Sequence, residues 1–194
     1  MLKLAAISLL LSACIVGEVR DFPDPDNDPA DDQDPAPPQD PEPETPTGTL
    51  AITMSTTTKV GALFAPNNVV AVWIEDAAGN FVKTIDRWSQ VRTQHLVAWR
   101  TAAGTADVDS VSGASRLDHA TPIQIQWKLK DRNRNPVPDG VYTVRMESAE
   151  ANSVSEAENN QGTFTFTSGA LAETQTALAS GGFTNVSLTY TPPP

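Results

Sequence analysis

The chain has 194 residues, 39% of them hydrophobic and only 6% aromatic, and a formal charge of −11. Residues 21–46 hold 10 of the 24 acidic residues and no Lys or Arg, whereas Thr47 onward carries 11 basic and 13 acidic residues and is almost neutral. The length suits one domain with appendages, the lack of a basic stripe along the sequence counts against a nucleic-acid partner, and a single cysteine excludes an intrachain disulfide and a cysteine-built metal centre.

Residues 1–13 read as a signal peptide. Lys3 supplies a small positive start and Leu4 to Leu11 a short apolar run, too brief to span a bilayer as a stable helix. The order Leu11-Ser12-Ala13-Cys14 resembles the bacterial lipobox, which implies cleavage before Cys14 and acylation of its thiol. An ordinary signal peptide with a chance cysteine is the plainer alternative. Ile15 follows where an Asp resembles the inner-membrane retention signal of Gram-negative lipoproteins, so the resemblance implies the outer membrane.

Residues 14–48 then form the lipidated cysteine and a tether. Nine of the chain's 16 prolines lie in residues 21–46, with Phe22 the only large apolar side chain. Such a segment buries too little apolar surface to offset its conformational entropy, so the expectation is a disordered acidic stalk biased to polyproline II. At about 3.1 Å per residue it reaches on the order of 100 Å. Calcium capture by its carboxylates or a cationic partner are alternatives, but calcium loops need a tight glycine turn and this segment has no glycine.

Residues 49–194 predict an all-β, antiparallel, immunoglobulin-like β-sandwich of about eight strands. Leu50, Ile52 and Met54 alternate with Ala51, Thr53 and Ser55, which reads as a first strand. The runs Val69–Glu75 and Phe81–Ile85 flank Asp76-Ala77-Ala78-Gly79-Asn80, a hairpin with a glycine-bearing loop. Leu96–Trp99 reads as a short strand. Ile123, Ile125, Trp127 and Leu129 alternate with Gln124, Gln126, Lys128 and Lys130, giving one buried and one wet face. Val141–Glu147, Thr163–Thr167 and Phe183–Tyr190 supply further strands, and Leu171–Leu178 reads as one or two helical turns.

Trp127, Asp131, Val137, Pro138, Gly140 and Tyr142 resemble the closing hairpin of immunoglobulin-like domains of the flagellar-hook-cap type. Pro138 and Gly140 suit a turn, and Tyr142 can bury its ring while its hydroxyl finds a partner. More broadly, Ala65-Pro66-Asn67-Asn68-Val69-Val70-Ala71-Val72-Trp73-Ile74-Glu75-Asp76, Gly79–Ile85, the Ser-Gly-Ala segment and Trp127–Tyr142 follow one another as in the domain-of-unknown-function family 2271. That similarity implies an exported β-sandwich, often encoded near flavin-transferring enzymes and membrane redox proteins, with no established activity.

Conventional catalysis has thin support. Ser112 or Ser115, His119 and Asp118 compose a hydrolytic triad only on paper, because triads are geometric. A metal centre would need His95 and His119 to converge with Asp109 or Asp118, and no helical histidine pair offers zinc-like spacing. Trp73 and Trp127 lie in strand patterns and are expected to be buried. Trp88, between Arg87 and Arg92, is the tryptophan expected to be partly exposed and able to stack on a ring system.

Asp109-Ser110-Val111-Ser112-Gly113-Ala114-Ser115 is different in kind. It resembles the acceptor sequence of extracytoplasmic flavoproteins, where a flavin transferase joins FMN through a phosphoester to the last hydroxyl. The resemblance implies Ser115 as acceptor and Asp109 as an orienting or recognised carboxylate. Gly113 and Ala114 would leave room for the cofactor. The bland reading, a tight surface loop of small residues, stands beside it. The expected role is that of a non-catalytic accessory or structural module linked to redox chemistry, attached to the membrane by lipid. A covalent FMN carrier served by a flavin transferase and a membrane redox protein is the alternative, and a hydrolytic enzyme the third reading.

Overall fold

The computed structural model describes residues 47–104, 110 and 112–194. The signal peptide, Cys14, the acidic tether and Asp109 lie outside the described residues. Among the described residues eight strands form: β1 (Thr49–Thr56), β2 (Val69–Asp76), β3 (Phe81–Trp88), β4 (Ile123–Trp127), β5 (Gly140–Ala149), β6 (Asn160–Ser168), β7 (Glu173–Ser180) and β8 (Phe183–Thr191). They make two four-stranded antiparallel sheets, in the orders β4-β1-β8-β7 and β3-β2-β5-β6. The all-β sandwich expected from strand periodicity is the fold.

The alternating side chains do what their period requires. Leu50, Ile52 and Met54 of β1 meet Val70, Val72 and Ile74 of β2 and Val144 and Met146 of β5 across one core. Trp127, Tyr142, Phe166 and Tyr190 form an aromatic cluster at one end, with Trp127 edge-on to Tyr142 at 5.5 Å. Tyr142 buries its ring and donates its hydroxyl to the Pro138 carbonyl, so the Val-Pro-Asp-Gly turn is tied to the strand that follows it. The β2–β3 hairpin also closes as expected: Asp76 Oδ1 accepts from the Ala78 and Asn80 amides at 2.9 and 2.8 Å, and Gly79 turns the chain at φ 82°.

Two expectations are corrected. Leu96–Trp99 is not a strand; Val97–Ala103 is a helix, α1. Leu96, Trp99 and Ala103 recur at helical spacing and pack onto Val69, Ala71 and Trp73, the outer face of β2. This second, smaller core explains why Val69–Ile74 is apolar without alternation: β2 is buried on both faces. Leu171–Leu178 holds no helical turn. Glu173–Ser180 is the edge strand β7, paired to β8 with register shifts around Ala177 at φ 56°. Its largely exposed, Thr- and Gln-rich face carries no hydrophobic alternation, and the pairing to β8 decides its conformation.

Candidate functional site

The serine-rich loop is laid along the free edge of β3. The Ser112 amide donates to the Arg87 carbonyl at 2.7 Å, the Gln90 amide donates to the Gly113 carbonyl at 3.3 Å, and Gly113 bridges Trp88 in parallel. Three residues on, Arg116 and Asn68 exchange both backbone hydrogen bonds, at 2.7 and 3.1 Å. The loop is therefore held at both ends, across an edge that would otherwise present unpaired backbone groups.

Gly113 lies close against the Trp88 ring. A Cβ there would sit 3.0 Å from Cδ1 of Trp88, tighter than ordinary contact. Trp88 is half-buried, as its place between two arginines suggested, and packs on the main core beneath the loop. The flanking guanidiniums lie over other rings, Arg87 on Trp99 and Arg92 on Phe64.

Asp86 anchors the loop from below. Its Oδ1 accepts from its neighbour's amide, Arg87 N, at 2.8 Å and from the Ser112 hydroxyl; the Ser110 hydroxyl also bonds to this carboxylate. Burial raises its pKa above the ordinary carboxylate value, and the bonds from Ser112, Arg87 and Ser110 partly oppose that rise. Nothing in the period-two reading of Phe81–Ile85 marked Asp86; its partners Ser110 and Ser112 come from a loop 24 to 26 residues further along the chain.

The serines thus differ. Ser112 is exposed on average, yet its hydroxyl is committed to Asp86. Ser115 is half-buried, and its hydroxyl has no hydrogen-bond partner among the described residues.

Of the groups expected to serve hydrolysis or metal binding, Ser112, Asp118, His95 and His119 each serve a loop instead. His119 Nε2 faces the Pro66 carbonyl at 2.8 Å, which can only accept, so Nε2 carries the hydrogen. Nδ1 lies within hydrogen-bond distance of the Thr56 hydroxyl, at 2.7 Å. Asp118 Oδ1 accepts from the Ala120 and Thr121 amides, both at 3.0 Å; the Thr121 side chain first, and then these amide bonds, hold its pKa down. No arrangement of Ser112, Ser115, Asp118 and His119 resembles a triad. His95 Nδ1 donates to the Ser153 carbonyl at 2.9 Å, well away in the chain from the His119 loop. Among the described residues no three His, Cys, Asp or Glu side chains are grouped as a metal ion requires.

One buried acid escaped sequence reasoning. Glu147 is fully enclosed beneath α1, where its carboxylate accepts from the Ala98 and Trp99 amides at 3.0 and 2.9 Å and from the Asn159 side-chain amide at 2.7 Å. Leu96 at the start of α1 has no side chain able to cap the helix, so an acid from β5 satisfies the free amides. A helix beginning on Leu is the only signal the sequence carried.

No curated protein and no solved structure matches the chain. Residues 50–184 match DUF2271, described as a predicted periplasmic protein, and span most of β1 through the start of β8. Strands β2 to β7, the helix-covered second core and the loop clamped on β3 fall within that match, and the chain belongs to this family of predicted periplasmic proteins.

Proposed function

We propose that this chain is an exported lipoprotein, held through Cys14 at the outer membrane, whose immunoglobulin-like sandwich is a non-catalytic accessory module of a redox-linked envelope assembly. The observation that carries this reading is the commitment of its reactive groups. Both histidines, Asp118 and the Ser112 hydroxyl each hold a loop, leaving a built surface rather than a reaction centre. The hydrolytic reading has no support from that geometry. A photo-crosslinking residue at Gln90, beside the clamped loop, should give a discrete adduct with a membrane redox protein in intact cells. An adduct pattern no different from that of a probe at Thr165 on β6 would sink the proposal.

A second reading rests on Ser115. Its hydroxyl is unengaged among the described residues, while Gly113 brings the loop against the Trp88 ring. Those features suit a covalent FMN acceptor. Ser115 Oγ would attack the flavin-side phosphorus of FAD, the new phosphoester would form as AMP leaves, and a base of the transferase would take the hydroxyl proton. The flavin would supply the redox chemistry, and the chain its placement. After co-expression with a flavin transferase, the denatured band should fluoresce, Ser115→Ala should be dark and Ser112→Ala should stay bright. A dark wild-type band beside a fluorescent control acceptor removes this reading.

A further inference from the structure

A second site lies at the other end of β3. Strands β3 and β4 are edge strands of opposite sheets. A cleft of about 260 Å³ opens between Lys83 and Ile85 of β3 and Trp127, Lys128, Lys130 and Arg134 of β4 and its following turn. Four of the 11 cations from Thr47 onward line it, and no carboxylate does.

The other arginines among the described residues are spoken for within the fold. Arg87, Arg92 and Arg132 lie over Trp99, Phe64 and Phe81, Arg145 pairs with Glu75 at 3.5 Å, and Arg100 and Arg116 donate to the Gln94 and Thr121 carbonyls. Lys83, Lys128 and Arg134 differ: among the described residues none has an ion-pair or hydrogen-bond partner for its charged group. The backbone beneath them is also unusual. Leu129 and Arg134 both stand in the left-handed region, at φ 48° and 70°, which side-chain-bearing residues rarely adopt. Asp131 holds the turn in that shape by accepting from the Asn133 and Asn135 amides, both at 2.8 Å. Such strained backbone persists where surrounding bonds over-determine it, and it gathers at ligand sites.

We propose that this cleft binds a small phosphate-type polyanion, a phosphomonoester or pyrophosphate group. Converging like charges repel, and an anion of two or more charges relieves that repulsion better than a single carboxylate. The Arg134 fork matches two phosphate oxygens, while Lys83 and Lys128 act as point charges from the facing strands. The proposal is independent of the Ser115 reading.

Inorganic pyrophosphate titrated calorimetrically into the purified full chain at low ionic strength tests it. Saturable one-to-one binding is expected, weakening as sodium chloride is added. The double variant Lys83→Gln/Lys128→Gln should weaken it at least about tenfold, and Lys59→Gln, outside the cleft, should change it by less than about twofold. A thermal midpoint measured alongside shows that both variants remain folded. Vesicles of phosphatidylglycerol in phosphatidylcholine, offered to the chain and its double variant in a Cys14→Ala background so that no acyl group contributes, form the second arm. Vesicle binding lost in the double variant, without pyrophosphate binding, assigns the cleft to a membrane face and overturns the proposal. No saturable binding, or equal loss in Lys59→Gln, also overturns it. So does a double variant that self-associates while keeping its pyrophosphate affinity, because the lysines would then be guards of the two sheet edges.

Discussion

Asp86 sets the chemistry of the loop it holds. Because burial raises its folded pKa above the unfolded value, near the ordinary 3.8, its contribution to stability is full below that value and is lost as pH rises through the folded one. Wild type should therefore gain stability relative to Asp86→Asn as pH falls from 7 towards 4. Urea midpoints of both chains at several pH values check this, and parallel curves would refute it. Asp76 and Asp118 act in the opposite sense. Hydrogen bonds from Asn80 and Thr121 depress their values, so their contribution is present above 3.8 and disappears as pH falls further. At this scale the strand-facing residues were readable, since Trp73, Trp127 and Tyr142 are buried where their period placed them. Asp86, His95 and His119 were not, because their partners come from distant loops.

At the scale of elements, α1 and β7 separate two kinds of legibility. The helix was hidden because four residues, Leu96–Trp99, satisfy a strand window, and only the extension to Ala103 reveals the helical period. Its stability rests on the sheet beneath it, as a helix of 7 residues is too short to persist alone. Glu147→Ala should consequently cost about 2–4 kcal/mol, leaving two backbone amides without an acceptor and the Asn159 amide with the His95 carbonyl alone. Glu147→Gln keeps one oxygen and should cost less. Equilibrium denaturation measures both, and a loss below about 0.5 kcal/mol in Glu147→Ala would show that water replaces the cap. For β7 no longer window helps: an exposed edge strand lacks a buried face, so its pairing partner alone identifies it.

For the molecule as a whole, the proposed attachment and the proposed recognition lie in separate parts of the chain. Among the described residues no helix is long and apolar enough to cross a membrane. The proposed anchor is Cys14, whose acyl chains would contribute about 0.8 kcal/mol per buried CH₂. Cys14→Ala should move most of the protein from the membrane fraction to the soluble one, with continued pelleting after a high-salt wash as the contrary result. The near-neutral balance after Thr47 looked featureless in one dimension, yet folding concentrates four cations from two separated segments in one cleft.

What the sequence determined by itself follows from local periodicity: strand alternation, turn residues and the order of blocks that mark the family and its sandwich. Those signals persist because each arises from a few adjacent residues facing one core. Tertiary structure alone decided which serine hydroxyl is tied and which is left open. It also made Glu147 a helix cap, and it brought Lys83 beside Lys128 and Arg134. Hydrogen bonding and charge act through a few ångströms of space, and the residues concerned lie dozens of positions apart along the chain.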